Sequence, residues 1–215
     1  MPTVQLDALD LAALLCSRVC HDVISPVGAI INGLEVMEED KDAAMHEFAM
    51  DLIAKSAKQA SARLQFARLA FGAAGSAGAS IDLGDAASVA RGFIQDDKTK
   101  LGWDAPRAFA PKNKAKLLLN LLMVATGAVP RGGTIDVVMT GEGDTMAFRI
   151  EARGAYSRVP AAAAELIAGR SENGQVDAHG IQAYYAGLIA KEAGMQVSVG
   201  QEGDAIVIEA RPQAV

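Results

Sequence analysis

Cysteine, histidine and basic charge are all scarce in this chain, and each scarcity closes off a class of function. Cys16 and Cys20 are the two cysteines in 215 residues. Spaced four apart on a helical pattern they share a face, yet a helix does not hold such a pair at disulfide geometry. Two thiols without further ligands also fall short of a structural zinc site. They read as small buried hydrophobes. Of the three histidines, His46 and His179 do not stand at metal-ligand spacings. A formal net charge of −6 argues against a nucleic-acid partner, which calls for a basic face. No apolar run approaches the roughly 18 residues of a membrane span, and no basic-then-apolar leader opens the chain, so the reading is a soluble cytoplasmic protein with no membrane partner.

What is present is enough apolar residue, 51% of the chain, to bury one large core or two small ones. From about Leu6 to Glu39, apolar residues recur at helical spacing: Leu11, Leu15, Val19, Val23, Val27, Ile30, Leu34 and Met37. A second helical pattern carries Phe48, Leu52, Ile53, Leu64, Phe66 and Leu69, and the run "GAAGSAG" at 72–78 stops it. Two helices of roughly 30 residues form a hairpin about 45 Å long. A lone hairpin cannot cover its own apolar stripe, so a four-helix bundle from two copies, a homodimer, is expected.

Beyond the linker the pattern changes. Ser80–Leu83 reads as a short strand, Asp85–Asp97 as a helix, Trp103–Ala108 as a strand and Lys112–Ala128 as a strongly apolar helix. Two hairpins, "TIDVVMTGEGDTMAFRIEA" and "MQVSVGQEGDAIVIEA", turn on acidic-glycine residues. Helices at about 160–168 and 178–193 lie between them. The expected fold is α+β: a helical hairpin over 1–75, then an α/β sandwich over 80–215 whose mixed sheet has one face covered by helices.

In order along the chain, these blocks resemble the dimerisation and ATPase-type domains of a sensor histidine kinase. "CHDVISP" resembles the H-[DE]-x-x-x-P phosphoacceptor box, and "LLLNLLMVATGAVPRGGTIDV" the helix that carries a nucleotide-site asparagine. "FRIEARGAY" stands where the family has an Asp-x-Gly-x-Gly turn, and "AHGIQAYYAGLIAKEAGMQVSV" where it has a second glycine box. Four blocks in correct order are far more specific than any one alone. The departures matter equally. The magnesium-holding asparagine falls at Val124, the adenine-binding aspartate at Ala152 and its second glycine at Tyr156. In the second box only Gly180 survives, flanked by His179 and Gln182, and the lid over ATP is reduced to a short Ala-rich helix. Phosphate contact needs glycines and magnesium a hard oxygen donor, so the domain is expected not to bind ATP.

An acceptor box without an ATP site resembles the dimeric histidine phosphotransferases of the ChpT type. That resemblance implies an ATP-independent transferase with a phosphohistidine intermediate. His21 would accept a phosphoryl group from the receiver domain of a CckA-like hybrid kinase and pass it to response regulators, the CtrA-like cell-cycle regulator and the CpdR-like proteolysis adaptor. It also implies no cofactor in this chain, with Mg2+ brought by the receiver.

The residues fit that chemistry. A neutral imidazole attacks phosphorus and leaves again without strong activation. Helical phase separates His21 from the core stripe through Val19 and Val23 and groups it with Ser17, Arg18, Ile24, Ser25 and Gly28, a small and mostly polar face for docking. Ile24 is either a docking contact or an inward-turning residue at the edge of the stripe. Asp22, about 100° further round, is read as orienting or tuning the imidazole. Pro26 lacks an N–H, so the Asp22 carbonyl loses its helical partner; the bend either helps to expose His21 or is a plain kink. Antiparallel pairing through a turn near residue 41 brings Ser61–Gln65 to the depth of His21. Acids crowd the hairpin tip (Glu35, Glu38, Glu39, Asp40, Asp42, Glu47), while Arg18, Arg63 and Arg68 lie nearer the histidine. These arginines either steer an acidic receiver pocket or form routine ion pairs on solvated faces. Two other functions stay open. One is a receiver phosphatase using Ser25, four residues after His21, and the other an inert dimeric scaffold.

Overall fold

The computed structural model describes residues 1–39, 42–72, 80–105 and 108–213. The hairpin consists of α1 (Ala8–Glu39) and α2 (Ala43–Ala70). Asp42 starts α2, its carboxylate accepting from the Ala44 amide at 3.2 Å. The expected turn near 41 and the acid at Asp40 lie outside the described residues, as does most of the glycine-rich linker. The helices approach closely where Gly33 meets α2: a Cβ there would sit 2.7 Å from Ile53 Cγ1 and 3.2 Å from the Ala49 carbonyl. α1 runs unbroken through Pro26, whose ring is buried.

The inner face of α1 carries Leu15, Val19, Val23, Ile30 and Met37, all partly buried against α2 and the sandwich. Val27, Leu34, Phe48 and Leu64 are exposed in the single chain, in keeping with a hairpin that cannot cover its own apolar stripe. One expectation needs correction: Cys16 and Cys20, expected to be buried, are exposed as well. The physical reason is the same in each case: a two-helix hairpin offers each helix one neighbour, so a second apolar stripe is left outward. On α1 that stripe reads Cys16, Cys20, Ile24, Val27, Ile31, Leu34, the three-and-four spacing of a helix-packing seam. The same stripe makes one stretch of α1 reach a mean hydropathy of 1.4 over 18 residues. By length and composition this qualifies as a membrane span, contrary to the expectation that none would.

The second unit comprises β1 (Ser80–Asp82), α3 (Leu83–Ile94), β2 (Thr99–Asp104), β3 (Phe109–Pro111), α4 (Lys112–Thr126), β4 (Gly133–Thr140), β5 (Ala147–Arg153), α5 (Ala163–Ile167), α6 (Ile181–Glu192), β6 (Met195–Glu202) and β7 (Ala205–Pro212). The five-stranded sheet has the order β2-β4-β5-β7-β6, parallel between β2 and β4 and antiparallel elsewhere. β1 pairs with β3 as a separate ribbon. Both expected hairpins form, β4–β5 and β6–β7. The expected strand over Trp103–Ala108 instead ends at Asp104, and begins at Thr99 because its pairing with Gly133–Val138 of β4 fixes its limits. α3 starts two residues early because the Asp82 carboxylate caps it, accepting from the Gly84 and Asp85 amides.

α3, α4 and α6 cover one face of the sheet. α4 is buried from Leu117 through Ala125, all round its circumference, because it is enclosed by the hairpin, α6 and the strands. Along β5 the inward residues are Phe148, Ile150 and Ala152, while Arg149, Glu151 and Arg153 point to the open face. There Arg149 bonds Glu151 and its cross-strand partner Glu209, each at 2.7 Å, and also reaches Glu202.

Three contacts fix the sandwich on the hairpin. Phe66 of α2 stacks on Phe93 of α3 with ring centroids 4.2 Å apart. Asn120 of α4, fully buried, donates to the Ala70 carbonyl at the end of α2 at 3.0 Å. Ahead of α1, the Val4 amide donates to Gly169 at 2.8 Å, and the Tyr184 hydroxyl of α6 bridges Leu6 and Val4.

The carboxyl groups of Glu151 and Glu209 are held below the usual value of 4.5, foremost by their hydrogen bonds from Arg149. The folded chain therefore binds fewer protons than the unfolded one just below 4.5. Their stabilisation is complete above that value and is lost as pH falls through the lowered values. Urea denaturation midpoints should drop between pH 7 and about pH 3, and Arg149→Met should start lower at pH 7 and drop less. Parallel pH dependence in the two proteins would contradict this.

Candidate functional site

His21 lies near the middle of α1 with its side chain 82% exposed. Helical phase accounts for this: the inner face passes through Val19, Asp22 and Val23, and His21 projects beside it. Ser17, Ile24 and Ser25 are exposed with it, whereas Arg18 and Gly28 are partly buried. At 70% exposure Ile24 is outward, which resolves the alternative left by its position at the edge of the stripe. A side chain added at Gly28 would meet open space, so this part of the face is unobstructed.

Asp22 gathers the surrounding groups. One carboxylate oxygen, Oδ1, faces His21 Nδ1 at 3.6 Å, longer than a hydrogen bond. The other, Oδ2, accepts from Arg18 Nε at 3.2 Å, one turn earlier on the same helix. The Asp22 main-chain carbonyl would ordinarily bond the amide four residues on, but that residue is Pro26. Instead Arg63 of α2 donates to it through Nη1. Arg18 and Arg63 are thus both engaged with Asp22, while Arg68 is exposed further along α2. Below Asp22 a narrow void is lined by Val19, Val23, Arg63, Phe66, Phe93 and Met123, so α3 and α4 of the sandwich reach the underside of the site.

Val124, His179, Gly180 and Gln182, from two of the kinase-like boxes, line a cleft of about 170 Å3 between the hairpin and the sandwich together with Arg18 and Leu166. The residues present do not fit ATP and magnesium. Val124 is buried and offers no oxygen, and Ala152 is buried in the sheet with none to offer an adenine amino group. The amides of His179 and Gly180 are taken by the Asp177 carboxylate, at 3.0 and 2.7 Å. These amides are therefore satisfied within the chain. Gly180 packs on Leu166: a Cβ there would lie 2.7 Å from Leu166 Cδ1. Gln182 donates to Asn120 Oδ1 at 2.6 Å inside the core, and Asn120 donates to Lys116 as well as Ala70. No three His, Cys, Asp or Glu side chains gather as a metal site among the described residues.

Sequence reasoning missed the donor to the Asp22 carbonyl, the Asp177 plug and the Asn120–Gln182 link. Only the first had a signal, a proline four residues after Asp22 with Arg63 expected at the same depth.

A helical hairpin with an outward histidine, seated on a kinase-like sandwich, defines a class, and the chain belongs to it: residues 83–205 match the histidine phosphotransferase C-terminal domain. More particularly, the chain is 51% identical to protein phosphotransferase ChpT of Brucella abortus (strain 2308) over 207 residues, covering 96% of this chain and 98% of that protein. It also superposes on a solved structure described as a bacterial phosphotransferase with a TM-score of 0.88 and 48% identity, covering 98% of this chain and 100% of that one. The chain is a phosphotransferase of this family.

The link from Asn120 to the end of α2 gives a direct test of how the two units are held. Asn120→Ala leaves the buried Ala70 carbonyl and the Gln182 amide without their partner, at about 1–3 kcal/mol for each buried group. Urea denaturation should register that loss, and a change below about 0.5 kcal/mol would mean the link does not hold the units together.

Proposed function

We propose that the chain is an ATP-independent relay in a two-component pathway, accepting a phosphoryl group on His21 and returning it to a second protein. The observation that carries this is the setting of His21. Its imidazole is exposed, and its Nδ1 faces a carboxylate that is itself held in place. Nε2, across the ring, is then the attacking atom. Its lone pair forms the N–P bond as the bond from phosphorus to the donor's aspartyl oxygen breaks, and the aspartate leaves as a carboxylate. The imidazole becomes positive in that step, and Asp22 beside Nδ1 offsets the charge or takes the Nδ1 proton. Transfer to the next aspartate reverses these events.

Support for a protein donor in place of ATP comes from the cleft. Its volume lies below the roughly 300–1,000 Å3 typical of ligand pockets, and Asp177 holds the amides that would meet phosphate. Mg2+ is then carried by the receiver. The open face of Ser17, Ile24, Ser25 and Gly28 is the docking surface for a receiver, with Arg18 at its edge. The outward residues Cys16, Cys20, Val27, Ile31 and Leu34 are covered by a second copy, forming the four-helix bundle of a homodimer. A bundle seam also accounts for the high hydropathy of α1, and on this reading the relay works in the cytoplasm with its receivers. By family resemblance the donor is a CckA-like receiver, and the acceptors are CtrA-like and CpdR-like regulators.

The test is transfer from a radiophosphorylated receiver to the purified chain, with His21→Ala alongside. Acid-labile, base-stable label should appear on the natural chain and be absent from the variant. Free phosphate released without labelled chain would point to the phosphatase that Ser25 could serve, and an inert mixture to a scaffold.

A further inference from the structure

One polar contact in the site is not explained by docking or by acid–base chemistry. In a regular helix the carbonyl of residue 22 accepts from the amide of residue 26, and Pro26 has no such amide. The carbonyl is on the inner side of α1, where Asp22 is 16% exposed in its side chain and water is a poor substitute. A guanidinium from the neighbouring helix, 41 residues away in sequence, supplies the donor. Such a charge-assisted bond is stronger than the amide bond it replaces, and it ties α1 to α2 at the residue beside the histidine.

The consequence for His21 runs through Asp22. The residue is held at its carbonyl by Arg63 and at Oδ2 by Arg18, which leaves Oδ1 directed at His21 Nδ1. An imidazole that is 82% exposed has little packing to hold its ring, so its orientation follows that carboxylate. Arg63 lines a narrow void together with Phe66 and Phe93, whose stack joins α2 to the sandwich. Arg63 thus ties the helix that holds the sandwich to the residue beside His21.

We propose that Pro26 and Arg63 form one device, in which the proline strips the Asp22 carbonyl of its helical donor and Arg63, replacing it from α2, acts as the positioning residue for His21. The proposal rests on the relay reading. It differs from the view of Arg63 as a docking cation, because it makes the effect of Arg63 depend on Pro26.

The experiment compares four proteins: the natural chain, Arg63→Met, Pro26→Ala and the double variant. Single-turnover transfer from a phosphorylated receiver is measured over a range of receiver concentrations, with thermal melts confirming that each protein is folded. Arg63→Met is expected to slow the maximal rate by about tenfold or more, the scale of a small misplacement of reacting groups, with the half-saturating receiver concentration unchanged. Pro26→Ala is measured as the reference against which the double variant is read. The double variant recovers most of the loss, because a main-chain amide restored at position 26 rebuilds the bond to the Asp22 carbonyl. If Arg63→Met does not fold, Arg63→Lys takes its place, with an intermediate loss that Pro26→Ala again repairs. The proposal is overturned if the Arg63 variant weakens half-saturation at an unchanged maximal rate, or if the folded double variant is as slow as the single one.

A second readout needs no receiver. The 13C shift of the Asp22 carbonyl and the imidazole 15N shifts of His21 should move in Arg63→Met and return toward natural values in the double variant. Unmoved shifts also overturn the proposal. A natural chain that takes no label while these shifts respond would instead defeat the relay reading and leave the device standing.

Discussion

A carbonyl that its own helix cannot satisfy is the point on which the acceptor end of this molecule turns. Pro26 removes the helical donor from Asp22, and the group that answers comes from the other helix of the hairpin. That bond fixes the register of α1 against α2 at the depth of His21, while Gly33 against Ala49 and Ile53 fixes it nearer the tip. The same stretch of α2 carries Phe66 into its stack on Phe93. The residue beside a solvent-exposed histidine is therefore tied to α2 at Arg63, three residues before the phenylalanine that stacks on the second unit.

That second unit is an α/β sandwich with a closely packed interior. Its helix-start amides are held by Asp177, its surviving glycine packs on Leu166, and a pair of amides, Asn120 and Gln182, closes the core behind the cleft. These contacts all lie within the chain and close the region behind the cleft. On the relay reading, the sandwich serves as a fixed buttress for α1 and α2, held by the stack, the Asn120 bond and the N-terminal strap at Val4 and Tyr184.

Much of this was legible in the residues. Periodicity located both long helices, the acidic-glycine turns located both hairpins, and helical phase separated His21 from Val19 and Val23. What periodicity could not tell was which of two apolar stripes on α1 meets α2 and which is left outward. Val27 and Leu34 fit the same spacing as Val23 and Ile30, and only the close approach at Gly33 decides between them. The strand at Thr99 was missed because its limits come from parallel pairing with β4, a partner more than thirty residues away. The Arg63 bond lies between these cases: Pro26 announces a missing donor, but an arginine's long side chain does not announce its acceptor.

At the centre of the proposed relay stands the transfer of a phosphoryl group from another protein to Nε2 of His21, with Asp22 facing the opposite nitrogen. The direct measurement is 31P–15N correlation on chain labelled with 15N-histidine and charged by a phosphorylated receiver in the absence of ATP. The expected result is a single phosphorus coupled to Nε2 of His21. Phosphorus on Nδ1, on another residue, or appearing only when ATP is supplied would contradict it.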